Sequence, residues 1–310
     1  MKELLPINQT KLIGLNRFFN ELINLEKRKI FPNKILLSGP KGIGKCTLAF
    51  HFINYVLSRD EQFKYDELNL EINERNQSFK TVLNKSNLNF FLIDIDIEKK
   101  FIDIGKIRGL ISYFNKSSFN QKPRFVLIDN IEYLNLNSIN ALLKILEEPT
   151  ENTHFILINN NKKVLPTLSS RCINFKVNIS NSESLKIING LLKEKLHLLV
   201  HPDFINYYIS PGNIFNLIRF SELNSLDLSK MNLKDFLNLL IDKNFYKKDN
   251  LIQHLIFELL ELYFYKFRTS LNFKVFEGYD SFIKKVSDTK KFNLDEDFLF
   301  MEFKEKVLNG

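Results

Sequence analysis

Short apolar runs alternate with amphipathic segments through the first 178 residues of the chain. The amphipathic segments carry apolar residues at intervals of three and four, as helices do, whereas the short runs are continuously apolar, as buried strands are. Strands that alternate with helices indicate a parallel sheet with helices on both faces. We therefore predict an α/β domain over residues 1–178, with strands at 35–37, 89–94, 124–129 and 154–159 and helices at 18–25, 48–57, 104–114 and 138–148.

Helical spacing continues without strand signals from about residue 179. A first, short unit extends to residue 220 and contains a break at Ser210-Pro-Gly212. Longer amphipathic segments follow at residues 233–241, 251–267 and 282–286. The pattern therefore predicts a small helical domain over residues 179–220 and an all-helical domain over residues 221–310.

A glycine loop connects the first predicted strand to the next helix. Gly39, Gly44 and Lys45 match the phosphate-binding pattern G-x-x-x-x-G-K-[ST], except that Cys46 occupies its last position. In such loops backbone N–H groups turn toward phosphate oxygens, the helix N-terminus attracts anions and the lysine neutralises charge. A chance glycine turn is the alternative, and the correct flanks on both sides argue against it. The candidate nucleotide-binding residues are Gly39, Pro40, Lys41, Gly42, Ile43, Gly44, Lys45, Cys46 and Thr47.

Two further polar residues, Asp129 and Asn159, end predicted strands. Ligands of parallel α/β sheets bind at the carboxyl ends of the strands. We therefore expect the glycine loop, Asp129 and Asn159 to meet in one crevice.

Charge and cysteine content narrow the class of protein. The 310-residue chain has a net charge of +8, with its basic residues dispersed, which suits contact with a polyanion. Its two cysteines, Cys46 and Cys172, are far apart, so neither a disulfide framework nor a cysteine zinc site is expected. The N-terminus lacks the apolar core of a signal peptide, and polar residues interrupt the apolar stretch 251–265. We expect a cytoplasmic protein without a membrane partner.

Two motifs resemble those of a known family. Residues 140–149 resemble the N-A-L-L-K-x-L-E-E-P signature of bacterial sliding-clamp loaders, which are AAA+ ATPases, and Ser170-Arg171-Cys172 resembles the S-R-C motif of the same family. Within it the pattern is most similar to the delta-prime subunits of DNA polymerase III. The resemblance implies an AAA+ P-loop domain over 1–178, a helical lid over 179–220 and a helical collar over 221–310 that joins subunits. It also implies gamma/tau and delta subunits, the sliding clamp and, through the complex, primer-template DNA as partners.

Departures from the family pattern fall at the catalytic positions. Active loaders carry Ser or Thr where this chain has Cys46, and a thiol is a poor ligand for magnesium, which prefers oxygen. Active loaders also carry Asp-Glu where this chain has Asp129-Asn130, and an amide cannot accept a proton as a general base. Glu132 would need a different backbone path, and no second sensor arginine is evident near Gly212. We expect absent or weak ATP hydrolysis, and binding of ATP or ADP with Mg²⁺ stays open.

Arg171 has a different expected role. The resemblance implies that this arginine reaches the ATP of a neighbouring subunit, where it would stabilise the charge that develops on the transferred phosphoryl group. The alternative is an ordinary surface salt bridge. For the paired Glu147-Glu148 the resemblance favours a structural or subunit-contact role over acid–base chemistry.

No metal site is predicted. Many delta-prime subunits carry a four-cysteine zinc module after the first long helix, whereas the polar tract 58–87 at that place has no cysteine and reads as an irregular insertion with short helices. His197 and His201 have helical spacing, but Pro202 ends the helix and no glutamate completes a zinc motif.

Two other functions are alternatives to this interpretation. The first is an active gamma/tau-type loader ATPase, against which Cys46 and Asn130 argue. The second is an unrelated, stand-alone P-loop NTPase or kinase, in which the S-R-C and N-A-L-L-K-x-L-E-E-P segments would have no role.

Overall fold

The structure is a computed structural model that describes residues 4–96, 99, 101–115, 120–147, 152–192, 194–205, 209–267, 282, 284–286, 288 and 295–309. The chain divides into two compact units, Lys2–Ile179 and Ser180–Gly310.

The first unit is built on one five-stranded parallel sheet. Its strands are β1 (Lys34–Ser38), β2 (Phe90–Ile93), β3 (Arg124–Ile128), β4 (Thr153–Asn159) and β5 (Ile173–Lys176). Their spatial order is β2-β3-β4-β1-β5, and every neighbouring pair is parallel. This confirms the predicted α/β class and the four predicted strands.

Strand β5 was not predicted, and its exposure explains why. It pairs with β1 alone, at the edge of the sheet, and Ile173 is 60% exposed. An edge strand with one open side needs no continuous apolar run, so the hydrophobic pattern does not identify it.

The helices of the first unit cover the sheet because their apolar stripes face it. The inner positions of α4 and α5, such as Ile107, Leu110, Leu142 and Leu146, lie in one core with Val126 and Leu157 of the sheet. The helices are α1 (Asn16–Lys27), α2 (Lys45–Leu57), α3 (Gln77–Leu83), α4 (Ile104–Phe114), α5 (Leu136–Glu147) and α6 (Pro166–Ser169). The signature helix is thus α5; Glu148 and Pro149 of the motif lie outside the described residues.

The polar tract 58–87 is an irregular segment that contains one short helix, α3, as predicted. Its buried side chains Leu70 and Ile72 anchor it, and its Asn76 exchanges two side-chain hydrogen bonds with the buried Asn54 of α2. These buried side chains and hydrogen bonds attach the tract to the first unit.

The second unit is helical in its described parts. Its helices are α7 (Asn181–Leu191), α8 (Leu196–Leu199), α9 (Pro211–Leu223), α10 (Leu233–Asp242), α11 (Phe245–Lys248), α12 (Asn250–Phe267) and α13 (Glu296–Phe303). The predicted break at Ser210 is the start of α9, because the Ser210 side chain caps that helix and Pro211 opens it.

Helix α9 continues past residue 220, so a boundary between the predicted lid and the predicted collar would lie after Leu223. The division into lid and collar stays a prediction.

Two other predictions concern helices of this unit. Of the predicted segment 282–286, residues 282 and 284–286 are helical, and residue 283 lies outside the described residues. In the described part of the chain, no helix is both long and apolar enough to cross a membrane.

Candidate functional site

The glycine loop turns sharply between β1 and α2. Gly42 and Gly44 have φ angles of 81° and 92°, in the left-handed region that favours glycine. A Cβ atom on Gly39 would lie 2.2 Å from the backbone oxygen of Val177, which follows β5. Glycines at these positions therefore give the loop its turn and its close approach to the neighbouring strand.

Lys45, the first residue of α2, is buried against its own loop and is only 3% exposed. Its Nζ donates hydrogen bonds to the backbone oxygens of Gly39 at 2.9 Å and Pro40 at 2.6 Å, and to Oδ1 of Asn160 at 2.9 Å. Desolvation lowers the pKa of Lys45 to about 8, although the nearby Asp129 carboxylate acts in the opposite direction. The ammonium group is therefore already bonded to protein oxygens.

Asp129, which follows β3, lies close to Cys46 of α2. Burial raises the pKa of the Asp129 carboxyl to about 6, and the charge of Asp94 at the end of β2 adds to the shift. Burial, and then the Asp129 charge, raise the pKa of the Cys46 thiol well above its usual value. A protonated thiol beside the carboxylate does not fit a magnesium site, because Mg²⁺ prefers oxygen ligands.

A chain of amides links the strand ends. The Nδ2 of Asn130 donates to Oδ1 of Asp94 at 2.8 Å, and its Oδ1 accepts from Nδ2 of Asn160, also at 2.8 Å. Asn160 donates in addition to Oε1 of Glu132 at 2.8 Å. Asn130 has a φ angle of 57°, and the short 3₁₀ turn that follows it, Ile131–Tyr133, carries the Glu132 carboxylate toward Asn160. The ends of β2, β3 and β4 are thus tied together by side chains.

Asp129 and Asn159 both lie beside the loop: the Asp129 charge acts on the pKa of Lys45, and the backbone oxygen of Asn159 accepts from the Gly39 N–H at 3.3 Å. The side chain of Asn159 exchanges hydrogen bonds with the backbone of Lys162. The next residue, Asn160, contacts Lys45 instead. Nucleotide binding by the loop, Asp129 and Asn159 stays a prediction.

Three residues of this site were not predicted from the sequence: Asn160, Asp94 and Glu132, whose carboxylate turns toward Asn160. Asp94 carried a usable signal, since it ends the predicted strand 89–94 and so belongs to the same edge of the sheet as Asp129.

Arg171 lies after the short helix α6 and is bonded elsewhere. Its Nη2 is 2.6 Å from Oε1 of Glu147, the last residue of α5, and its Nη1 donates to the backbone oxygen of Thr167 at 2.7 Å. The side chains of Arg171 and Glu147 are 34% and 52% exposed. The geometry therefore shows a surface ion pair within this chain.

The proteins of known name that are similar in sequence include subunits of DNA polymerase III. The chain is 31% identical over 250 residues to the DNA polymerase III subunit gamma of Buchnera aphidicola subsp. Schizaphis graminum, covering 70% of this chain and 63% of the relative. It is 29% identical over 139 residues to the delta-prime subunit of Pseudomonas aeruginosa, covering 44% of this chain and 40% of the relative. The chain thus spans less than two thirds of the length of these relatives.

Solved structures with a similar arrangement include a gamma-subunit-related protein of DNA polymerase III from Thermotoga maritima. It is 18% identical, with a TM-score of 0.44, and the match covers 90% of this chain and 96% of that protein. The sequence also matches the family described as "DNA polymerase III, delta subunit" over residues 14–181, which is more than half of the 310-residue chain. The chain therefore belongs to the DNA polymerase III delta-subunit family.

Proposed function

We propose that this protein is a delta-prime-like subunit of the replicative sliding-clamp loader, that its own site hydrolyses ATP weakly or not at all, and that Arg171 acts at the ATP site of a neighbouring subunit. Family membership and the similarity to gamma and delta-prime subunits support the first part. The partners proposed are gamma/tau and delta subunits, the sliding clamp and primer-template DNA, in the cytoplasm.

The bonding of Lys45 is the observation that carries the proposal of weak hydrolysis. A phosphate-binding loop directs its N–H groups and its lysine at the phosphates. Here the lysine ammonium is bonded to two carbonyl oxygens of the loop and to Asn160. A phosphate group would have to displace these bonds from a buried, partly desolvated cation.

The strand ends support the same proposal. The amide of Asn130 lies where active loaders have their catalytic glutamate, and it donates its hydrogen bond to Asp94. The Cys46 thiol lies beside Asp129 and does not supply the hydroxyl that binds magnesium in active loaders. Neither a general base nor a complete magnesium site is therefore proposed for this chain.

The proposed role of Arg171 is independent of the chain's own crevice. Its guanidinium has five N–H donors, of which two make the bonds to Glu147 and Thr167. The remaining donors suit the equatorial oxygens of a phosphoryl group supplied by a neighbouring subunit. We also propose the division into a lid and a collar that was predicted over residues 179–220 and 221–310, with the boundary moved to the end of α9, after Leu223.

A catalytically active gamma/tau-type loader ATPase is the second candidate, because the match to a gamma subunit extends over more residues than the match to a delta-prime subunit. ATP turnover by the purified chain distinguishes the two. We expect negligible turnover with Mg²⁺. Robust, magnesium-dependent hydrolysis that is lost in Lys45→Ala would establish the gamma/tau-type function instead.

The role of Arg171 is tested in a loader reconstituted with the gamma/tau and delta subunits of the same organism. We expect Arg171→Ala to lower clamp- and DNA-stimulated ATPase activity by about 10³-fold or more, as for other arginine fingers. Arg28→Ala, which removes an exposed arginine at the end of α1, serves as the matched control. An unchanged rate in Arg171→Ala would refute the action in trans.

A further inference from the structure

The guanidinium of Arg171 is held at two points by two different elements. Its Nη2 bonds to Oε1 of Glu147 at 2.6 Å, and its Nη1 donates to the backbone oxygen of Thr167 at 2.7 Å. Glu147 is the last residue of α5, and Thr167 belongs to α6. Two such bonds fix the plane of the guanidinium as well as its position.

The elements that supply these two oxygens are themselves anchored. Leu146, next to Glu147, is fully buried in the core, and its backbone oxygen accepts a hydrogen bond from the Nζ of Lys34 at 2.9 Å. Leu168, next to Thr167, is 1% exposed in the same core. The carboxylate of Glu147 therefore projects from a fixed helix end.

We propose that Glu147 is a positioning residue for Arg171. It holds the guanidinium in the orientation needed to bind the phosphate of the ATP in a neighbouring subunit. This inference rests on the proposed function of Arg171. A long, flexible arginine loses rotamer freedom when it engages a phosphate, and a side chain that is already oriented loses less. Because the two bonds use two of the five N–H donors, the other three stay available for phosphate oxygens.

Two simpler roles of the Glu147–Arg171 pair predict different results. An exposed ion pair that serves only the stability of the chain contributes little and leaves catalysis unchanged when it is removed. A carboxylate that competes with the phosphate for Arg171 restrains catalysis, so its removal raises the rate. A positioning carboxylate does neither: its removal lowers the rate, and only while Arg171 is present.

The test is a double-mutant cycle in the reconstituted loader, with Glu147→Ala, Arg171→Ala and the double variant. We expect Glu147→Ala to lower kcat for ATP hydrolysis about tenfold, since small misplacements of a catalytic group have effects of this size, with KM unchanged. In the Arg171→Ala background the same substitution should have no further effect. Glu147→Gln keeps an oxygen that accepts from Arg171 and should retain most of the activity.

Controls separate a folding defect from the proposed role. Glu21→Ala removes an exposed glutamate of α1, and thermal unfolding of each variant chain reports stability. A kcat that stays unchanged or rises in Glu147→Ala, while Arg171→Ala is impaired, would overturn this inference and leave the proposed function standing. A rate unchanged in Arg171→Ala would overturn the proposed function itself.

Discussion

The side-chain amide of Asn130 donates a hydrogen bond to the carboxylate of Asp94 at 2.8 Å. The donor occupies the position at which active loader ATPases have a glutamate, and a carboxylate there could not donate. The structure around residue 130 is thus adapted to an amide: a negative charge next to Asp94 would also lie beside Asp129, whose pKa the Asp94 charge already raises.

The first prediction concerns restoring that glutamate. We expect Asn130→Glu to leave ATP turnover negligible and to lower the free energy of unfolding by about 1–3 kcal/mol, because a partly buried hydrogen bond becomes a like-charge contact. The φ angle of 57° adds strain, since asparagine adopts this conformation more readily than glutamate. Urea denaturation at pH 8 and an ATPase assay measure the two effects. Magnesium-dependent turnover in the variant, or unchanged stability, would contradict this explanation.

Much of the fold could be predicted from the sequence because the inner strands are buried on both faces. The runs that became β3 and β4 are continuously apolar, and such runs are distinctive. The edge strand β5 could not be predicted in this way, because Ile173 and most of its other side chains are exposed.

The candidate site could be predicted in part for a related physical reason. The position of Asp129 follows from topology, since the ends of parallel strands share one edge. The choice between Asn159 and Asn160 does not follow, because it depends on how the chain turns after β4 and on which side chain reaches Lys45. The path of Glu132 depends in the same way on the left-handed conformation of Asn130.

The second prediction concerns the pH dependence that Lys45 confers. Its pKa in the folded chain is about 8, below the 10.5 of an exposed lysine, so between these values the unfolded chain holds a proton that the folded chain has lost. Stability due to Lys45 therefore rises with pH across this window. Lys45→Met removes this contribution and three hydrogen bonds.

We expect Lys45→Met to be less stable than the parent by about 1–3 kcal/mol at pH 7, and by more at pH 9.5. Urea denaturation at both pH values gives the two differences. Lys41→Met removes an exposed lysine of the same loop and controls for the loss of one positive charge. A deficit that is the same at both pH values would mean that Lys45 is not desolvated as its burial indicates.

The third prediction concerns Asp129, whose contribution to stability changes with pH in the opposite direction to that of Lys45. Its pKa is about 6 in the folded chain against 3.8 for an exposed aspartate, so the folded chain binds the extra proton between these values. Stability due to Asp129 is therefore lost as the pH rises through about 4 to 7. An asparagine side chain does not titrate in this range, so Asp129→Asn lacks this pH dependence.

We expect the stability of Asp129→Asn relative to the parent chain to increase by about 1–3 kcal/mol between pH 4.5 and pH 7.5. Because hydrogen-bond changes that do not depend on pH cancel in this comparison, the slope isolates the carboxyl group. Chemical denaturation at four or five pH values provides it, with Asp60→Asn, an exposed aspartate, as the control for net charge. A relative stability that falls over this range would show that Lys45 outweighs both burial and Asp94.

The last prediction compares two glycines that differ in the space beside them. A Cβ atom on Gly39 would lie 2.2 Å from the Val177 oxygen, so Gly39→Ala must push the loop away from the backbone after β5. A Cβ atom on Gly109, inside α4, would have its nearest neighbour, a ring atom of Phe91, at an ordinary 3.6 Å. We expect Gly39→Ala to lower the free energy of unfolding by about 2–4 kcal/mol through overpacking. Gly109→Ala should raise it by up to about 1 kcal/mol, since alanine is the better helix former. Equal effects in chemical denaturation would show that the close packing of the loop against β5 does not constrain residue 39.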